Sequence, residues 1–158
     1  MLSKKDRRRK RKNRKPESNF MKKPLSEKFV KQSIIKWLFR NGWGRNLEVG
    51  ELRDQGVDIR VKNNKVSRFF LIETKGEGKT RQVNESTFVH SLGQIITRMK
   101  TGGTTRYYYG LGLPELSAKI AIRRVPWQVA KKLLLYIFAV SRDEKVKQYS
   151  WQDLKKFQ

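Results

Sequence analysis

Asp58, Glu73 and Lys75 are the residues of this chain best suited to chemistry. They stand in Gly56-Val57-Asp58-Ile59-Arg60-Val61 and in Phe69-Phe70-Leu71-Ile72-Glu73-Thr74-Lys75-Gly76. Two carboxylates brought together in partly buried surroundings repel one another, and each costs desolvation energy unless a cation compensates. A divalent metal does so. Magnesium takes hard oxygen ligands from one or two carboxylates and leaves room for water and a substrate phosphate. Bound there, it acidifies a water and stabilises charge building on phosphate oxygens. An adjacent ammonium orients that water or adds positive charge where the transition state becomes more negative. The chemistry on offer is metal-dependent phosphodiester cleavage. A plainer reading competes with it, in which Asp58 is a solubilising charge at a strand edge and Glu73 and Lys75 are an ordinary surface pair.

These residues must be positioned by strands. Val57, Ile59 and Val61 alternate with Asp58, Arg60 and Lys62, the two-residue period of a strand. The run from Phe69 to Ile72 is continuously apolar and predicts a central strand covered on both faces. Asn63-Asn64-Lys65-Val66-Ser67 predicts a hairpin connection between them. A turn centred between Lys65 and Val66 sets Arg60 opposite Leu71 and Asp58 opposite Glu73. Opposed residues share a face, and Lys75, two residues beyond Glu73, projects to it as well. A slip of one residue would separate the acids, so the expectation depends on register.

Residues 25–39 predict a helix with Ser26 as its N-cap, on which Glu27, Val30, Ile34 and Trp37 share a face. Glu27 then either points along the apolar side or serves as a first-turn acid complementing the helix dipole. Residues 85–100 predict a second helix, with Phe88, Leu92, Ile95, Ile96 and Met99 as its apolar stripe. Gln94 and Arg98 lie one turn apart on it, which suits contact with a substrate phosphate or a metal-bound water, or equally an ordinary exposed polar face. Gly93 predicts a close approach of another backbone there, since glycine in a helix costs about 1 kcal/mol relative to alanine.

Taken in this order, the motifs resemble the PD-(D/E)XK nuclease superfamily, and in detail the small Holliday junction resolvase-like and restriction endonuclease-like domains. The resemblance spans about residues 25–142, and its short motifs persuade only through their order and spacing. It implies an α/β fold, a restriction-endonuclease-like mixed sheet flanked by helices in the rough order α-β-β-β-α-β-α-β-β. It also implies that Asp58 and Glu73 bind Mg2+ or Mn2+ and that Lys75 is catalytic. An acid on the first helix, here Glu27, and a glutamine after the ExK strand, here Gln94, complete the expected site. Val57 stands where the superfamily's name places proline, and Glu48, Glu51, Asp54 and Glu77 are further acids that could complete a metal shell.

The remaining chain supports one domain over residues 24–158. Residues 106–114 predict an aromatic-rich strand, 115–124 a helix, Pro126 the start of another at Trp127, and 134–140 and 146–149 a final strand pair. Residues 1–23 form a basic tail with 12 Lys and Arg against Asp6 and Glu17, expected to be flexible in isolation. Of the formal net charge of +24, the tail carries +10, so the folded part is strongly basic too. That charge points to a polyanion, nucleic acid first, with Arg7, Arg8, Arg9, Lys10, Arg11 and Lys12 of the tail and Lys79, Arg81 and Arg98 of the domain as backbone contacts.

Several chemistries are set aside. The chain has no cysteine, which excludes thiolate and Cys-zinc sites, and His90 is its single histidine. His90 is expected on a helix surface. Gly76-Glu77-Gly78-Lys79-Thr80 resembles the end of a phosphate-binding loop, but it lacks the earlier spaced glycine and no helix is expected behind it. Trp37, Trp43, Trp127 and Trp151 are expected to anchor core or interfaces. The expected function is a metal-dependent endonuclease acting on DNA, including branched recombination or repair intermediates, in the cytoplasm, at the nucleoid or, in a eukaryote, in the nucleus. No membrane partner is expected. Dimerisation stays open, although junction and duplex cutters must reach two strands. A non-catalytic nucleic-acid-binding module of the same fold, or a basic RNA- or ribosome-associated protein, are the alternatives.

Overall fold

A computed structural model describes residues 22–50, 56–100 and 106–158. The tail residues Arg7, Arg8, Arg9, Lys10, Arg11 and Lys12, and the acids Glu51 and Asp54, lie outside them. The chain order is α1 (Glu27–Arg40), β1 (Trp43–Val49), β2 (Ile59–Asn63), β3 (Arg68–Thr74), α2 (Arg81–Thr97), β4 (Arg106–Pro114), α3 (Glu115–Arg124), α4 (Trp127–Leu133), β5 (Leu135–Val140), β6 (Val146–Tyr149) and α5 (Trp151–Phe157).

The six strands form one sheet in the order β1-β2-β3-β4-β5-β6. β3, β4 and β5 run parallel, while β1, β2 and β6 join antiparallel at the two sides. The hairpin between β2 and β3 follows from Asn63, whose side-chain oxygen accepts from Lys65 N at 2.9 Å and Val66 N at 3.2 Å. This turn fixes the expected register: Arg60 pairs with Leu71 and Ile59 with Ile72.

Alternation along β3 divides the interior into two cores. Phe70 and Ile72 face α1, where Val30, Ile34 and Leu38 are buried against Ile59, Val61, Phe138 and Val140. Leu71 faces the other side, with Phe88 and Ile95 of α2, Ala118 and Ala121 of α3, and Leu111, Leu113 and Ile137. Burying each large aliphatic side chain contributes ~1.5–3 kcal/mol, so covering both faces holds β3 as a central strand. Glu73 has the parity of Leu71 and Thr74 that of Ile72. The C-terminal end of β3 therefore offers a carboxylate to the α2 side and a hydroxyl to the α1 side.

Four local expectations are corrected. α2 begins at Arg81 instead of Glu85, because Thr80 caps it by accepting from Val83 N at 3.2 Å. A helix thus follows Gly76-Glu77-Gly78-Lys79-Thr80 directly. Ile96 is 46% exposed, outside the apolar stripe of α2. Gly93 faces open space, so close packing does not account for it. The unforeseen α5 is closed by Ser150 and Asp153, with Ser150 N donating to Asp153 Oδ2 at 2.9 Å, and it buries Leu154. Among the described residues, no helix is long and apolar enough to cross a membrane.

Candidate active site

The site is built where the end of β3 docks on the first turn of α1. Ser26 caps that helix, accepting from Phe29 N at 3.1 Å. Glu77 N donates to the Leu25 carbonyl at 2.7 Å, and Leu25 N donates to Glu77 Oε2 at 3.0 Å. Gly76 allows this approach, since a Cβ there would come within 2.9 Å of Glu27 N and 3.0 Å of Leu25 O. Glu27, partly buried, is thereby set beside the backbone that follows Lys75. One helical turn on lies Lys31, on the same side of α1.

Asp58 sits one residue before β2, beyond the last β2–β3 pair. Its Oδ2 accepts from Thr74 N at 2.6 Å and from Thr74 Oγ1 at 3.0 Å. Its Oδ1 pairs with Lys31 Nζ at 3.1 Å, and Lys31 also donates to the Gly50 carbonyl at 3.0 Å. The register sets Asp58 opposite Glu73, yet its contacts turn it toward Thr74 and α1. Thr74 offers the nearest unpaired N–H as the ladder ends, and α1 offers the cation.

Glu73 is 2% exposed. Lys75 Nζ donates to its Oε1 at 3.1 Å, and Arg98, at the C-terminal cap of α2, donates to its Oε2. Burial, and then the negative charge of Asp58, push the Glu73 carboxyl above the usual glutamate range. The Lys75 hydrogen bond and the charges of Lys75 and Arg98 oppose this without reversing it. The two acids therefore sense one another across the strand end even though their partners come from different helices.

Gln94 precedes Arg98 by one turn, so both lie on the side of α2 that reaches Glu73. Its Oε1 is buried and, among the described residues, has no hydrogen-bond partner. Leaving a buried acceptor unsatisfied costs about 1–3 kcal/mol. Such an oxygen suits a donor absent from the protein itself, and water is the simplest.

Lone-pair accounting shows what the cluster can still accept. An ionised carboxylate offers about four acceptor positions. Asp58 uses three and Glu73 two, which leaves one and two hard-oxygen positions respectively for a small divalent cation and its waters. Among the described residues, no group of three His, Cys, Asp or Glu is placed to hold a metal, so water or substrate would have to complete the shell. Lys31, Lys75 and Arg98 outnumber Asp58 and Glu73 by one charge, an excess that favours an approaching phosphate.

The other candidates are placed as follows. Glu48 pairs with Arg60 at 2.9 Å and Glu77 with Arg142 at 2.6 Å, so neither joins the two acids. Lys79 and Arg81 are exposed, and Arg81 pairs with Glu85 at 3.3 Å. His90 is exposed on α2. Trp37 packs edge-on against Phe138, Trp43 against Phe70, and Trp127 stacks on Trp151. Lys31 is the site residue the sequence reading missed, and its four-residue spacing from Glu27 was the available signal. Comparison of the chain with protein-family models, curated proteins and solved structures finds no match.

Proposed function

We propose that this chain is a metal-dependent endonuclease of the PD-(D/E)XK type that hydrolyses phosphodiester bonds in DNA. The observation that carries this reading is Glu73, a carboxylate buried at the end of a central strand between Lys75 and Arg98, with Asp58 close enough to raise its pKa. A six-stranded mixed sheet flanked by helices supports the restriction-endonuclease-like arrangement that the motifs suggest.

In this reading Asp58 and Glu73 hold Mg2+ or Mn2+ through their remaining lone pairs. When bound, the ion supplies an acidified water and positive charge for the phosphate oxygens. Lys75 orients the attacking water and follows the charge that develops on the phosphate. Gln94 Oε1 accepts a hydrogen bond from water at the site, and Glu27 borders it from the first turn of α1. Arg98 opposes the rise in the Glu73 pKa and leaves its remaining donors for substrate. Lys79, Arg81 and the basic tail hold the DNA backbone.

A second reading rests on the ion pairs themselves. Lys31, Lys75 and Arg98 already neutralise both acids, which suits a nucleic-acid-binding module that needs no metal. Cleavage separates the two. Nicking of labelled branched, single-stranded or duplex DNA in magnesium or manganese, abolished by EDTA, supports the nuclease; salt-sensitive binding with no cleavage of any of them overturns it.

A further inference from the structure

Beside the end of β3 runs a cleft of about 610 Å³ between the 76–80 loop, the start of α2 and the length of α3. Its floor is built from buried polar contacts. Asn84, 4% exposed, accepts from Gly78 N at 2.7 Å and from Ser117 Oγ at 3.1 Å, and it donates to the Gly78 carbonyl at 3.3 Å. One side chain thus ties the loop, α2 and α3 together. Gly78 is required for this fit, because a Cβ there would come within 2.6 Å of Val83 Cγ1. The cleft is preorganised, within the size range of ~300–1,000 Å³ usual for ligand sites.

Its lining is strongly cationic. Two carboxylates, Glu77 and Glu85, are engaged by Arg142 and Arg81. Lys22, Lys79, Lys119, Arg123 and Arg124 line it as well, without a carboxylate partner among the described residues. Lys119 and Arg123, four residues apart, form one ribbon along α3. Leu116 and Ile120 form a second, apolar ribbon beside it, and Leu116 is 53% exposed.

We infer that this cleft carries one single strand of nucleic acid away from the cleavage site, its phosphates on Lys119 and Arg123 and its unstacked bases against Leu116 and Ile120. This rests on the nuclease reading, and the link to that site is Glu77, which lines the cleft and follows Lys75 by two residues in the chain. A paired duplex presents phosphates to such a groove but keeps its base faces stacked, leaving Leu116 uncovered. A single strand satisfies both ribbons: its phosphates track the cations, as in other positively charged grooves that bind single strands, and its exposed base faces cover Leu116 and Ile120 by apolar contact. The substrate so selected is a duplex with a single-stranded arm.

The test measures fluorescence anisotropy in EDTA with a duplex bearing a single-stranded tail and with the same duplex blunt-ended. The wild type is expected to bind the tailed DNA more tightly. Lys119→Glu/Arg123→Glu, with its fold checked by circular dichroism, is expected to lose about tenfold or more on the tailed DNA and much less on the blunt. Lys119→Gln/Arg123→Gln should lower the salt slope on the tailed DNA by about 1.4, the contribution of two single-strand phosphates. Equal losses on both DNAs, or unchanged binding of the tailed one, would overturn the inference. Asp58→Ala, assayed in parallel, is expected to keep tail binding; absence of metal-dependent cleavage of any DNA by the wild type would overturn the nuclease reading while leaving the tail result standing.

Discussion

Lys31 Nζ lies 3.1 Å from Asp58 Oδ1, each side chain only 14% exposed, so a cation from the first helix compensates the acid that ends the β2–β3 hairpin. The pair joins the two layers at the candidate site, and it competes with any metal for the same carboxylate.

Lys31→Met should therefore act in opposite senses on stability and metal binding. Leaving Asp58 without its partner is expected to cost about 1–2 kcal/mol, between the values for exposed and buried pairs. Removing the competing charge should raise Mn2+ affinity about tenfold, a change of ~1.4 kcal/mol. Urea unfolding in EDTA and titration calorimetry with Mn2+ measure the two. A variant that binds Mn2+ more weakly than the wild type would contradict the competition.

Glu73 sets a pH dependence in the metal-free protein. Its raised pKa means that the folded state retains a proton that the unfolded chain releases. The associated stability is fully present below the unfolded pKa and is lost as pH rises through the folded one. Wild-type stability in EDTA should thus fall from the ordinary glutamate range upward, and the fall should be shallower in Glu73→Gln. Lys75→Met removes the hydrogen bond that most opposes the shift and should raise the Glu73 carboxyl further, as read by its 13C shift on titration. Parallel stability profiles for wild type and Glu73→Gln would rule this out.

Gln94→Leu offers a stability–function contrast. Deleting a buried, unsatisfied acceptor should leave stability unchanged or raise it by about 1 kcal/mol. If Gln94 accepts from water at the reacting centre, cleavage should fall by about tenfold or more even so. A variant that is both less stable and fully active would show that the amide is structural.

Ser26→Ala tests how α1 is seated. Loss of this N-cap should cost ~1 kcal/mol and loosen the first turn that places Glu27 against Gly76. Ser26→Asp keeps an accepting oxygen and should restore both stability and cleavage. Failure of aspartate to restore them would assign Ser26 a role other than capping.

The hairpin was legible because Asn63 fixes its turn and because apolar alternation along β2 and β3 permits one register. Ser26 and the buried Val30 and Ile34 made α1 readable for similar reasons. The start of α2 was hidden because its first turns are polar and are announced only by the Thr80 cap. α5 escaped because seven residues bury a single leucine and show little periodicity. Within the site, register brought Asp58 and Glu73 to one strand end, but it did not reveal their partners. Lys31 and Arg98 arrive from helices packed on opposite faces of the sheet, and such long-range pairing leaves no local pattern. Arg98 was marked for phosphate contact by its spacing from Gln94, and in the fold its guanidinium meets Glu73.

The central claim is that Asp58, Glu73 and Lys75 form one hydrolytic site. Its most direct measurement is the single-turnover cleavage rate of a branched DNA in Mg2+ and in Mn2+ for the wild type and for Asp58→Ala, Glu73→Ala and Lys75→Ala, with DNA binding measured on the same preparations in EDTA. Metal-dependent cleavage by the wild type is expected, with a loss of about 10²-fold or more in each variant and binding that changes far less. Cleavage at the wild-type rate by all three variants would contradict it.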